Sequence, residues 1–273
     1  MTHSRTLISV ALFTAIYLPV FPPLVREWIA NPDYSHAFLI PFISAYFLWT
    51  KREELKKTPV SPSWAGCAII IAGIALNLLG RAIANQVFLS RFSMIIVIFG
   101  MVYAQAGRQM AKKTAFAVGY LIFMIPPPLM LYTPFTFNLR LFSTRLAFGL
   151  LGLIGMNVTM SGNIIDLPTC SLVVENPCSG LRGLIVYMAA SLALGYLYQP
   201  TVRNRAILFV SAIGLAIAMN MVRLAATAVY SDLMALDRIS ISAHDAAGLA
   251  SLAAGLFILF WFNDVLKKWR QHP

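Results

Sequence analysis

The sequence predicts an all-α polytopic membrane protein: about eight transmembrane helices, with a small amphipathic helix and a β-hairpin on the outer face. Three observations predict it. Of 273 residues, 59% are hydrophobic and only 11% charged, against about 45–50% and about 25% in soluble domains. The apolar residues fall in blocks, several approaching the roughly 20 residues that a spanning helix needs. The basic residues sit in short gaps between those blocks, where they act as topology signals. That distribution also sets nucleic acid aside as a partner, despite a net charge of +11.

Taken in order, the spans are expected at about 6–25, 36–50, 64–80, 92–107, 114–131, 178–199, 206–230 and 245–266. The first has a weakly basic start and an apolar centre like a signal peptide, but "PVFPPL" follows it instead of a small-x-small cleavage site. It reads as an uncleaved span. Several others are short, which calls for tilt or local bilayer thinning. With the N-terminus inside, the inner segments hold 13 of the 21 basic residues and all seven lysines. The outer segments hold seven arginines and seven acids, and Arg223 is left within span seven. Both termini are therefore expected on the cytoplasmic side, and residues 1–273 are read as a single transmembrane domain with an outer-face insertion at about 132–177.

Within that insertion, 134–158 is apolar enough to suggest a ninth span, but it contains Arg140 and Arg145, each costly at mid-bilayer. An amphipathic helix lying on the outer surface fits better. "NVTMSGNIIDLPTCSLVVE" then alternates and turns at Ser161-Gly162-Asn163, the pattern of a β-hairpin.

The polar residues near this face suggest a chemistry. Asn176 suits an N-cap and Pro177 the first helical position, which puts Cys178 in the first turn of span six. There the helix dipole favours thiolate, and Arg182 adds positive charge one turn on. The alternatives are a packed structural thiol or a disulfide with Cys170. Cys67, inside an apolar run, reads as packing. Arg223 shares one face of span seven with Asn220 and Thr227, about 10 Å from its outer end by helical rise. An intramembrane Arg is a functional hypothesis by default; the alternative is one that snorkels to the headgroups. Ser242 and Asp245 have capping-box spacing, so His244 falls in the first turn of span eight; the alternative is a solvated interfacial His. The charge count puts Cys178, Arg223 and His244 at one membrane face from three different spans. A thiol, an imidazole and a guanidinium are the parts for thiolate acyl transfer. His36, at the outer start of span two, is a weaker supporting candidate. Arg140, Arg145, Arg182 and Arg238 suit a substrate carboxylate or lipid phosphates equally. No metal or other cofactor is expected.

Four stretches carry a resemblance: "DYSHAFLIPF", "GYLIFMIPPPL" at 119–129, "NPCSGLRGL" at 176–184, and "MVRLAATA" followed by "AHDAAGL". In order and spacing they resemble the exosortase/archaeosortase family of membrane cysteine transpeptidases. The resemblance implies Cys178 as nucleophile, Arg223 as oxyanion stabiliser and His244 as general acid/base. It implies substrates that are membrane proteins with a C-terminal tripartite signal: a short motif such as Pro-Glu-Pro, a transmembrane helix and a basic cluster. It further implies a bacterial inner-membrane enzyme with its active site facing the periplasm or exterior. Cleavage would be coupled to transfer onto a surface or lipid acceptor, often beside exopolysaccharide production. Two positions depart from the family pattern: Ala37 stands where Gly is frequent, and Cys170 is an extra thiol. A rival reading is a transporter or non-catalytic assembly partner for exopolysaccharide or a lipid-linked glycan, since an embedded Arg on a polar stripe also suits an anionic glycan.

Overall fold

The structure is a computed structural model that describes residues 2–83, 87–175, 178–234 and 241–268. It is helical apart from one small sheet, and it divides into two compact units, Met1–Leu129 and Met130–Pro273.

In the first unit, α1 (Thr2–Tyr17) and α2 (Phe21–Ala30) are bent by 62° at a short break. The prolines of "LPVFPP" cause the break, because each lacks the N–H that would continue the helix. A 3₁₀ segment, Pro32–Leu39, leads into α3 (Ile40–Thr50), and α4 (Arg52–Lys56) follows. The Asn31 side chain opens the 3₁₀ segment by accepting the Asp33 N–H.

The close packing in this unit is between α5 (Trp64–Ala82) and the first part of α6 (Val87–Tyr120). Gly66, Gly73 and Gly80 recur every seven residues on α5 and meet Ala104, Val97 and Ser90 on α6 in antiparallel order. Small residues at this spacing let helix backbones approach where lipid supplies no hydrophobic drive. A side chain at Gly73 would place its Cβ 2.6 Å from Val97 Cγ2. Gly73→Leu is therefore expected to cost about 1–3 kcal/mol, seen as a lower thermal unfolding midpoint in detergent. Gly119→Ala, with open space at its Cβ, serves as the control that leaves the midpoint unmoved.

At Gly107 the backbone of α6 leaves helical geometry, with φ +88°. Ser61 packs against that glycine. The N–H groups of Ser61 and Ser63 take the carbonyls of Ala106 and Ala104, so these acceptors are satisfied from outside the helix. Beyond the break the partners change. Ser44 Oγ donates to the Ala117 carbonyl, and Phe47 packs on Phe116 and Tyr120. A 3₁₀ turn, Leu121–Met124, ends the segment before Pro126–Pro128.

The second unit begins with α7 (Leu129–Leu153), followed by strands β1 (Thr159–Ser161), β2 (Ile164–Asp166) and β3 (Ser171–Val173). The helices α8 (Leu181–Tyr198), α9 (Val202–Leu233) and α10 (Ile241–Lys268) complete it. The inward stripe of α7 carries Thr136, Ser143, Thr144, Ala147 and Leu151. Its exposed side carries Phe135, Phe137, Phe142 and Leu153. This is the reverse of a helix lying against a soluble core, and an apolar outside of this kind suits lipid. Ala147 and Leu151 join Ile165, Leu167, Leu224 and Ala228 in one core that ties α7 and the sheet to α9. A second core, around Tyr187, Leu208, Ala212 and Leu259, joins α8, α9 and α10. At the far end of α8, Gln199 is buried and bonded to Asn263, Asn204 and Arg205.

Among the described residues, five helices are long and apolar enough to cross a bilayer, or six if the bent pair counts as one span; the expected eight are not all found. The spans expected at 92–107 and 114–131 fall on the two sides of the break at Gly107 in α6, the second giving way to the 3₁₀ turn after Tyr120. The span expected at 36–50 has only 11 α-helical residues, about 16 Å of rise. The hairpin is found with its turn at Gly162-Asn163 (Gly162 φ +61°). A third antiparallel strand extends it into the order β1-β2-β3. Asp166 on the middle strand accepts Ser171 Oγ and Thr159 Oγ1, bonding to both neighbours.

Candidate active site

The site is built around the turn Cys178-Ser179-Gly180. The Cys178 N–H donates to the Glu175 carbonyl at 2.9 Å. Helix α8 starts three residues later than expected, at Leu181, with Gly180 as its cap residue at φ +90°. That left-handed backbone cannot continue a helix from Cys178, so the thiol lies outside the first turn. Asn176 and Pro177, the expected cap and first helical residue, lie outside the described residues. Ser179 takes over part of the capping by accepting the Leu181 N–H on its Oγ.

The turn is held from α7 and α9. Asn220 Nδ2 donates to the Cys178 carbonyl at 3.1 Å and to Ser143 Oγ at 3.0 Å. Ser143 Oγ in turn donates to the Ser179 carbonyl at 3.0 Å. Asn220, Ser143 and Ser179 are all buried. These groups, with Gly180, Leu139, Leu184, Ala216 and Ile217, line a small cavity. Gly180 has no room for a side chain, since a Cβ there would lie 2.7 Å from Asn220 Cγ.

The Cys178 thiol is itself buried, packed with Val174, Leu224 and Ala225. Burial pushes its pKa up. The Arg223 guanidinium pulls it back down, a backbone hydrogen bond from Glu175 does the same, and the Glu175 charge opposes them. Burial prevails and the thiol is held protonated, with the Arg223 charge from α9 as the first of the causes that oppose it. Cys170 and Cys67 are also free thiols; Cys170 packs at the edge of the same core as Cys178 and forms no disulfide with it.

Arg223 reaches toward α10: a methyl built on Gly248 would lie 3.4 Å from Arg223 Nη1. His244 is in the first turn of α10, four residues before Gly248 and so one turn earlier on the same helix stripe. Its side chain lies outside the described residues, as do those of Ser242 and Asp245. Helix α10 is locked to α8 by Tyr187, whose hydroxyl donates to the carbonyls of Ser251 and Leu252. Gly255 makes room for that ring.

The remaining candidates are dispersed. Arg140 is on α7, one turn before Ser143 and Thr144, with its guanidinium over the Phe137 ring at 5.3 Å. Arg145 is exposed and Arg182 is part-buried near the start of α8. His36 belongs to the 3₁₀ segment of the first unit and is part-buried. Arg238 lies outside the described residues. Among the described residues no group of three or more His, Cys, Asp or Glu side chains is placed to hold a metal.

Sequence reasoning missed Ser143, Ser179, Gly180, Tyr187 and Gly248. Ser143 carried no signal, because a serine in an apolar helix is ordinary. Gly180, between a polar turn and an apolar run, had the signature of a left-handed position.

A family model described as transmembrane exosortase matches residues 28–261. No curated protein matches the chain, and no solved structure does.

Proposed function

The chain belongs to the transmembrane exosortase family, and from that membership we propose that it is a cysteine transpeptidase acting on proteins that carry a C-terminal sorting signal. Cys178 is the nucleophile, Arg223 the oxyanion stabiliser and His244 the general acid/base. The observation that supports this is the buried Cys178 thiol whose pKa, raised by burial, is pulled back by the Arg223 charge.

The steps follow from the chemistry of these groups. A thiol raised by burial stays protonated until a base removes its proton, and His244 takes that part. The Cys178 sulfur attacks the scissile carbonyl carbon, forming a C–S bond and moving the π electrons onto oxygen. Arg223 stabilises that oxyanion. The oxyanion collapses, the C–N bond breaks, and His244 gives its proton to the leaving amine. The product is a thioester on Cys178. An acceptor nucleophile, deprotonated by His244, then takes the acyl group, with water giving simple proteolysis. The substrate's transmembrane helix enters laterally and presents its motif at the outer face. Acidic groups in the motif meet Arg140, Arg145, Arg182 and Arg238.

The test uses a co-expressed protein of the same source that ends in a short motif, a transmembrane helix and a basic cluster. Cys178→Ala, Arg223→Ala and His244→Ala are each expected to leave it at full length on a gel. Unchanged processing by Cys178→Ala sinks the proposal.

A further inference from the structure

We infer that Ser143 and Asn220 are positioning residues that clamp the carbonyls of Cys178 and Ser179, turning the Gly180 N–H group outward as an oxyanion donor beside Arg223. The inference rests on the reading of Cys178 as the nucleophile.

The hydrogen-bond directions are forced. The carbonyls of Cys178 and Ser179 can only accept. The Ser143 hydroxyl spends its single hydrogen on the Ser179 carbonyl, so it must accept from Asn220. Asn220 Nδ2 has two hydrogens; one goes to Ser143 and the other to the Cys178 carbonyl. Each of the three hydrogens in this relay is used once. Both side chains are more than nine-tenths buried, so water cannot readily replace either bond.

The consequence follows from peptide geometry. The peptides of this turn are trans, and in a trans peptide the N–H points opposite to the C=O of the same plane. With the Cys178 and Ser179 carbonyls drawn toward Asn220 and Ser143, the N–H groups of Ser179 and Gly180 face the other way. Gly180 at φ +90° lets the chain make this turn and then enter α8 directly. A fixed backbone N–H two residues from a nucleophilic cysteine, here that of Gly180, is a means of holding a developing oxyanion. This alignment depends on α7 and α9, whose Ser143 and Asn220 hold the two carbonyls.

The test separates oxyanion stabilisation from thiol reactivity. p-Nitrophenyl acetate acylates a thiolate through a tetrahedral oxyanion: the S–C bond forms, the C–O bond breaks and p-nitrophenolate leaves. Iodoacetamide alkylates by direct displacement of iodide, with no oxyanion. Both are applied to the full-length protein in membrane vesicles, with the Cys178→Ala background subtracted. Ser143→Ala and Asn220→Ala are expected to slow the p-nitrophenolate burst by roughly tenfold or more while alkylation of Cys178 stays close to wild type. Ser143→Thr, which keeps the hydroxyl, is expected to recover the burst. Ser191→Ala, a buried serine bonded only within α8 at Met188, should change neither rate. A burst unchanged in both clamp variants overturns the inference, and so does a loss in which acylation and alkylation fall together. A wild-type protein with no Cys178-dependent burst removes the nucleophile reading itself.

Discussion

Arg223→Gln is expected to slow acylation of Cys178 by roughly 10²–10³-fold, the usual cost of losing one oxyanion donor. It should also move the pH profile of Cys178 alkylation to higher pH. The sign follows from the charges around the thiol. Burial favours the neutral form, and Arg223 favours the thiolate, as does the Glu175 backbone hydrogen bond; the Glu175 carboxylate opposes them. Only the thiolate reacts. Removing the cation raises the thiol's pKa further, so less thiolate is present at any pH below it and alkylation slows there. At pH well above it, wild type and variant converge. Arg223→Lys separates the two effects. It retains a charge, and so most of the alkylation profile, but it loses the planar fork that holds an oxyanion. Measuring both rates across pH checks this, and an unmoved profile together with wild-type acylation in Arg223→Gln rules out Arg223 in either part.

Gly180→Ala is expected to be the most damaging small substitution in the second unit. An L-residue at φ +90° is strained by about 1–3 kcal/mol. The added methyl would also lie 2.7 Å from Asn220 Cγ and 2.8 Å from its Nδ2. The Asn220 amide must move, and the Cys178 carbonyl loses its donor. Acylation should fall to the level of Asn220→Ala or below, with a lower thermal unfolding midpoint. Because the clash and the lost hydrogen bond involve the same pair, the effects should not add. The double variant Gly180→Ala/Asn220→Ala is expected to lose less than the product of the two single losses. Full additivity in the acylation rate would show that the two residues act independently.

Much of the fold is legible in the sequence because lipid imposes a simple rule. A long apolar segment must satisfy its backbone internally, so it becomes a helix. The segments that became α5, α8, α9 and α10 were each placed to within a few residues on that basis. The expectation failed where local backbone chemistry governs. Gly107 sits among the polar residues Gln105, Arg108 and Gln109, which mark a break, but nothing near it in sequence indicates that Ser61 and Ser63 will take its neighbours' carbonyls. The start of α8 was misplaced because Asn-Pro satisfies the general cap pattern, while Gly180 carries the left-handed conformation that sets the boundary.

By itself the sequence determined a helical membrane chain, its family, and three reactive residue types on three separate apolar segments. Composition and order suffice for these, since hydropathy acts on each segment separately and a motif is read along the chain. The tertiary structure alone decided what surrounds the thiol. It placed Cys178 before the start of α8, buried it, and set the Arg223 charge against that burial. It also brought Ser143 and Asn220, 77 residues apart, onto two consecutive carbonyls of one turn. Hydrogen bonds of that kind depend on distances of about 3 Å between groups on different helices, and such distances exist only once the helices have packed.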